Sequence, residues 1–348
     1  PAKSALSAGR KHVTDARKEN SDEPILFSDL EIVDPHHHLV EADHEWGRYL
    51  LADLQADTTS GHHVVQTVYA ECHEKYRDDG PEHLRPVGET EWVAKVARES
   101  IVGPGAEIAG IIAHADLTLD ARLEEVLDAH EAAADGRFCG IRHCIAHGDH
   151  RRGYENAPGP APKGLAEDER FREGVRLLGR RGIPYDSWHH HYQMDEFIAL
   201  AQSAPDTTLV MDHFGTPVAV GQYLDQRKEI YENLNSSIAA VAECPNVVAK
   251  LGGMAMPDNG FPWANSGVQA TAEEFAAAQR DYYLNAIDCF GPDRCMFESN
   301  FPVDRLSISY RSLFNAFKLM TADFSDTDKQ ALFSGTARKI YALPPVRA

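Results

Sequence analysis

Short apolar runs alternate with longer amphipathic stretches along most of this chain. Eight runs read as strands, namely Glu31–His37, Val64–Ala70, Glu107–Ala113, Phe138–Cys144, Ile183–Trp188, Thr208–His213, Asn246–Leu251 and Arg294–Ser299. Between most of them lie helical patterns. Ala121–Ala134 places Leu123, Val126, Leu127 and His130 at helical spacing. Asp168–Arg181 does the same with Phe171, Val175, Leu177 and Leu178 and stops at Gly182, a natural terminator. Ala272–Phe290 is a third amphipathic run, and Ser325 followed by Asp328 resembles a helix start before Lys329–Leu343. This alternation predicts an α/β fold, one (β/α)8 TIM barrel over residues 28–348, with an open doubly wound sheet as the alternative. Residues 1–27 read as a polar N-terminal extension that wraps the domain or a neighbour.

Two connections are long. His147–Glu167 is rich in Pro and Gly; Gly252–Ala270 carries Met254, Met256, Phe261 and Trp263. Both follow strands, so both would rise over the mouth of a barrel, and the apolar content of the second suits a lid.

Composition narrows the class. At 43% apolar and 25% charged residues the chain can bury a large core. Its formal charge of −20 argues against nucleic acid or an anionic membrane as the main partner, since both need a basic face. Six cysteines without a CxxC pair suggest free thiols, with Cys72, Cys139, Cys144 and Cys295 in or beside apolar runs. No membrane-length apolar run or leader pattern occurs, so a cytoplasmic enzyme with a small-molecule substrate, and possibly a homo-oligomer, is the expectation. No GxGxxG follows a strand and no GxxxxGK[ST] occurs, which removes dinucleotide and phosphate loops.

The chemistry gathers at strand ends. In Ile32-Val33-Asp34-Pro35-His36-His37-His38, strand alternation puts His36 and His38 on one face, with Asp34 expected one step deeper on that face. Two imidazoles so placed can reach one ion or one substrate. Later ends supply Glu71 and His73, His114, Arg142 and His143, His189-His190-His191-Tyr192, Asp212-His213, Lys250, and Glu298-Ser299-Asn300 with Asp304. Repetition over so many strand ends points to a site rather than to isolated core histidines.

Asp34-x-His36-x-His38, the strand-five histidines, Asp212-His213-Phe214-Gly215-Thr216-Pro217 and Ser299-Asn300-Phe301-Pro302 resemble the amidohydrolase superfamily. The similarity covers roughly residues 28–343 and is closest to the barrel hydrolases that include 2-pyrone-4,6-dicarboxylate lactonase and sugar lactonases. It implies one divalent metal, usually zinc, on His36, His38 and His191, and water attack on a lactone or related cyclic ester. The family usually has Asp where this chain has Asn300. Asn is no base near neutral pH and adds no charge to a metal. The catalytic candidates are therefore Glu71, His213, Asn300 and Asp304, with Glu71 first as base and Glu298 also considered. His213 could shuttle protons. Arg142, His143, Tyr192, Lys250 and Trp263 are candidates for shaping or binding substrate. A decarboxylase of the same superfamily and a catalytically silent binding protein are the alternative functions.

Overall fold

The apolar runs become strands because nearly every one of their residues is buried, the pattern of a parallel sheet covered on both faces. The computed structural model describes residues 23–41, 47–148 and 161–346. Its strands are β1 (Glu31–His37), β2 (His63–Ala70), β3 (Glu107–Ala113), β4 (Phe138–Arg142), β5 (Tyr185–Ser187), β6 (Leu209–Met211), β7 (Val247–Leu251) and β8 (Cys295–Phe297). They pair in parallel and in chain order, with helices between them. The sheet turns back on itself where His38 N donates to Phe301 O at 2.7 Å and Asn300 N donates to His36 O at 3.0 Å. This is the (β/α)8 barrel expected from the pattern, not the open sheet. Among the described residues no helix is long and apolar enough to cross a membrane.

Two apolar layers hold the barrel. Outside, Ile32, Ile108, Phe171, Phe197, Phe275 and Phe317 belong to the large cluster between sheet and helices. Inside, Val33, Val68, Ile112, Val210, Val248 and Met296 form a floor, closed from below by Tyr341. Gly110 makes room for that closure, since a Cβ there would lie 2.8 Å from Cys139 Sγ and 3.0 Å from Leu343.

The pairing of β1 with β2 slips between Asp34 and His37. The slip corrects the expected placement of Asp34. Val33 lies in the floor, but Asp34 turns away from the site: its Oδ1 accepts from Ser299 N at 2.9 Å and its Oδ2 from Tyr310 OH at 3.1 Å. Burial pushes its carboxyl up to about 6 despite these donors. Past the slip His36 faces inward, His37 reaches Thr67 Oγ1 at 3.0 Å, and His38 faces inward again.

The helix signals mostly act as read. Asp168 caps Glu169–Arg180, which ends before Gly182 at φ +68°; Thr271 and Glu274 form a capping box on Ala272–Phe290; Ser325 accepts from Asp328 N at 3.1 Å. The expected single helix Lys329–Leu343 is instead Asp326–Gln330, a π-turn over Ala331–Gly335, and Thr336–Ile340. The connection Gly252–Ala270 is a packed wall rather than a free lid. Gln279 Nε2 donates to Met254 O at 2.8 Å, Asn259 Nδ2 donates to Pro217 O at 3.0 Å, and Phe261 stacks on Trp263 with centroids 4.9 Å apart. Most of the other long connection, residues 149–160, lies outside the described residues, as do residues 1–22 of the expected extension.

Candidate active site

Two residues beyond the floor, the inward positions turn ionic: Val210 is followed by Asp212, Val248 by Lys250 and Met296 by Glu298. Asp186 on β5, Arg142 on β4 and Glu71 after β2 complete this buried layer. Lys250 Nζ donates to Asp186 Oδ2 at 2.6 Å, and lies 3.1 Å from His36 Nδ1 and 3.3 Å from Asp212 Oδ1. Arg142 Nε donates to Glu71 Oε1 at 2.8 Å, and Nη1 lies 3.6 Å from Asp212 Oδ2. Buried ions cost several kcal/mol each unless paired, and here each has an opposite charge beside it. Burial alone would raise Asp212, but Lys250 and His36 hold its carboxyl well below the usual range. Burial likewise opposes the ionised form of Glu298, yet His213 and His36 draw it down to about 2. Glu71 also ends lowered, since Arg142 and His73 outweigh its burial.

His36, His38 and His213 stand on this layer. His38 Nδ1 donates to Ala70 O at 2.8 Å, which leaves Nε2 bare. His36 Nε2 faces it at 3.2 Å. His213 Nδ1 lies 2.6 Å from Glu298 Oε1, and this carboxylate raises the imidazole although burial lowers it. Burial keeps His38 neutral, well below its ordinary value, and lowers His36 as well.

The chemistry of these residues fits a divalent metal. Two nitrogens on one tetrahedral zinc, each at about 2.0–2.1 Å, stand about 3.3 Å apart, close to the observed gap. His36 Nδ1 lies 3.1 Å from Glu298 Oε2; the tautomer with its proton there leaves both facing Nε2 atoms bare. Glu71, Asp186, Asp212 and Glu298 outnumber the permanent cations Arg142 and Lys250 by two, an excess of negative charge that His213, raised by Glu298, offsets in part. Asp212 Oδ2 is buried without a hydrogen-bond donor. The ligand-capable atoms of His36, His213 and Glu298 fall within 4.8 Å of one another.

His191 falls elsewhere. Its Nδ1 accepts from Val218 N at 3.1 Å and its ring meets Tyr192 and Tyr223, because the chain leaves β5 at Ser187 and turns into a short 3-10 helix. His213 is the imidazole brought against His36, with ring centroids 4.6 Å apart. His189 stacks on Phe197 of the outer cluster with ring centroids 4.5 Å apart, its Nδ1 3.0 Å from Ser187 Oγ and its Nε2 buried without a hydrogen bond.

The other candidates divide in two groups. Glu71, Arg142, His143 and Lys250 join or border the layer, though Lys250 is wholly buried beneath His36 and cannot touch substrate directly. Asn300 Nδ2 donates to Asp304 Oδ1 at 2.9 Å, and Ala255 N donates to Asp304 Oδ2 at 3.1 Å. Asp304 thus ties the loop after β7 to the loop after β8, and burial pushes it up to about 7. Tyr192 stacks on Tyr223 and donates to His147 O. Trp263 packs on Phe261 and Phe275 as part of the wall. Asp186 is not among the residues singled out from sequence, and Asp212 stands there at its strand end and in the motif without an assigned role. Counting two positions on from the floor residue of β6 finds Asp212 by the same rule that finds Lys250 and Glu298.

A family model described as amidohydrolase matches residues 33–343. The uncharacterized protein y4mH of Sinorhizobium fredii is 30% identical over 336 residues, covering 90% of this chain and 99% of that protein. An L-fucono-1,5-lactonase of Burkholderia multivorans is 28% identical over 183 residues, 52% of this chain and 59% of that enzyme. Among solved structures, an amidohydrolase of Burkholderia multivorans with bound zinc aligns at a TM-score of 0.69 with 22% identity, covering 90% of this chain and 99% of that one. With the family match running from β1 to beyond β8, the chain belongs to the amidohydrolase family.

Proposed function

We propose that this protein is a hydrolase that opens a lactone, or a related cyclic ester, of a small organic acid. The observation that carries this reading is the His213–Glu298 pair at 2.6 Å, set beside the facing imidazoles of His36 and His38. The fucono-lactonase relative supports the bond type and leaves the acid open. When bound, a divalent metal such as zinc would be held by His36 and His38 and would polarise an ester carbonyl and lower the pKa of a water.

The chain's own groups supply the rest. Glu298 accepts the Nδ1 proton of His213 and so fixes its tautomer, leaving Nε2 to handle the reacting proton. His213 Nε2 takes a proton from the attacking water, the ester C–O bond breaks, and the same proton passes to the leaving alkoxide. Water and lactone together give one hydroxy acid. Arg142 Nη1, 3.3 Å from His36 Nε2, presents a fixed cation to the developing oxyanion or to a substrate carboxylate. Glu71 holds that guanidinium in place through Nε.

Acid release from a panel of sugar-acid and pyrone-dicarboxylate lactones, followed with a pH indicator, tests the reading. We expect turnover on at least one, reduced about 10²- to 10⁴-fold by His213→Asn. Release of carbon dioxide from a carboxylic acid without lactone turnover would replace hydrolase by lyase.

A further inference from the structure

We propose that Glu71, His73 and His114 form a second divalent-cation site, at the ends of β2 and β3 and separated from the His36–His38 pair by Arg142. Their ligand-capable atoms lie within 4.8 Å of one another. Glu71 Oε2 and His73 Nε2 are 3.4 Å apart, and two atoms each about 2.0–2.2 Å from an ion subtend close to the tetrahedral angle at that separation.

Each ligand is prepared for the task. Glu71 is almost wholly buried, yet Oε2 has no hydrogen bond; its other oxygen is taken by Arg142 Nε at 2.8 Å. A buried carboxylate oxygen without a donor is left desolvated and uncompensated, and a cation would remove that cost. His114 Nδ1 donates to Arg142 O at 3.1 Å, which leaves Nε2 bare and fixes the ring through a backbone carbonyl, as metal-bound histidines are commonly fixed. His73 is turned back over the strand end in the left-handed region at φ 65°, a conformation disfavoured for a residue with a Cβ. The turn is clamped on both sides, because Glu89 Oε1 accepts from Cys72 N at 2.9 Å and from Glu74 N at 3.0 Å.

The surroundings agree. His73 stacks on Tyr76, whose hydroxyl is buried without a partner, and His73 and His114 stand with ring centroids 5.0 Å apart. His143 Nδ1 accepts from Leu117 N at 3.1 Å, so its proton sits on Nε2. It is therefore a donor beside the site, not a fourth ligand. Two imidazoles and one carboxylate suit zinc or cobalt, and the side chain of His73, 38% exposed, gives an ion a way in.

The test uses chelator-stripped full-length protein titrated with Zn²⁺ alone, bound metal being counted after dialysis and affinity read by calorimetry. His73→Ala and His114→Gln, checked for folding by circular dichroism, should each remove one bound ion per chain or weaken it at least tenfold, while His36→Asn leaves that ion in place. A wild type that binds one ion, lost in His73→Ala, would uphold this site and sink the His36–His38 one. Unchanged stoichiometry and affinity in His73→Ala and His114→Gln, or no ion bound by the wild type, would overturn the proposal.

Discussion

Glu89 is the most informative single residue to perturb. It lies in the first turn of the helix Val87–Val102 and faces β2, buried. Its Oε1 accepts from Tyr69 OH at 2.8 Å as well as from Cys72 N and Glu74 N, while Oε2 is buried without a donor. Burial, with the Glu71 charge adding to it, raises this carboxyl from 4.5 to about 8. A raised folded-state pKa favours the protonated fold, so the benefit is full below about 4.5 and is lost as pH rises towards 8. At about 1.4 kcal/mol per unit the ionised form costs roughly 5 kcal/mol at the plateau. Glu89→Gln keeps an oxygen for all three donors and removes the charge; its amide hydrogens, placed where Oε2 was, give back about 1 kcal/mol. The net gain is then roughly 4 kcal/mol at pH 9 and close to zero at pH 5. An unfolding entropy of about 2.1 cal/mol/K per residue makes 4 kcal/mol worth roughly 5 °C in a chain of this length. Thermal unfolding by circular dichroism, in chelator at pH 5 and pH 9, measures both. An equal shift at the two pH values, or a variant less stable at pH 9, would refute the assignment of a buried, uncompensated Glu89.

The remaining predictions concern the ionic layer. Lys250→Met leaves Asp186 and Asp212 facing each other without their shared cation and should lower stability by about 3–5 kcal/mol, read as a fall in Tm; an unchanged Tm would mean that Lys250 is not holding the layer. Asn300→Asp puts a second carboxylate 2.9 Å from Asp304, whose own carboxyl is already raised to about 7. We expect no gain in lactone turnover and a lower Tm above pH 7, and a clear rise in kcat would show that the position still wants an acid.

The barrel was legible because its signal is periodic. Each of the eight strands falls within or beside the apolar run that announced it, and Ser325 caps its helix through the Asp328 backbone donor as its spacing implies. Strand ends were read too long in the second half of the barrel, at β4, β5, β6 and β8. Ideal alternation carried Thr208–His213 and Arg294–Ser299 through residues that leave the ladder, since His213 and Asn300 take positive φ near 55° and curl over the mouth. The same idealisation misplaced Asp34. A one-residue slip in β1 exchanges faces, and nothing in Val33-Asp34-Pro35 other than the proline, which cannot donate to a ladder, warns of it.

Site membership follows parity more closely than it follows motif. His191 was preferred for a local pattern, but its ring lies beyond the end of β5, where strand parity no longer determines direction. Asp212, Lys250 and Glu298 each stand two residues after an apolar floor residue, so their convergence was available from the sequence once the floor was identified. What no single strand could reveal is the charge balance across the layer. Arg142 and Lys250 come from β4 and β7, whereas the carboxylates that surround them come from or follow β2, β5, β6 and β8. Only closure of the sheet sets four acids against two bases, and that excess of negative charge gives His36 and His38 a reason to hold a cation.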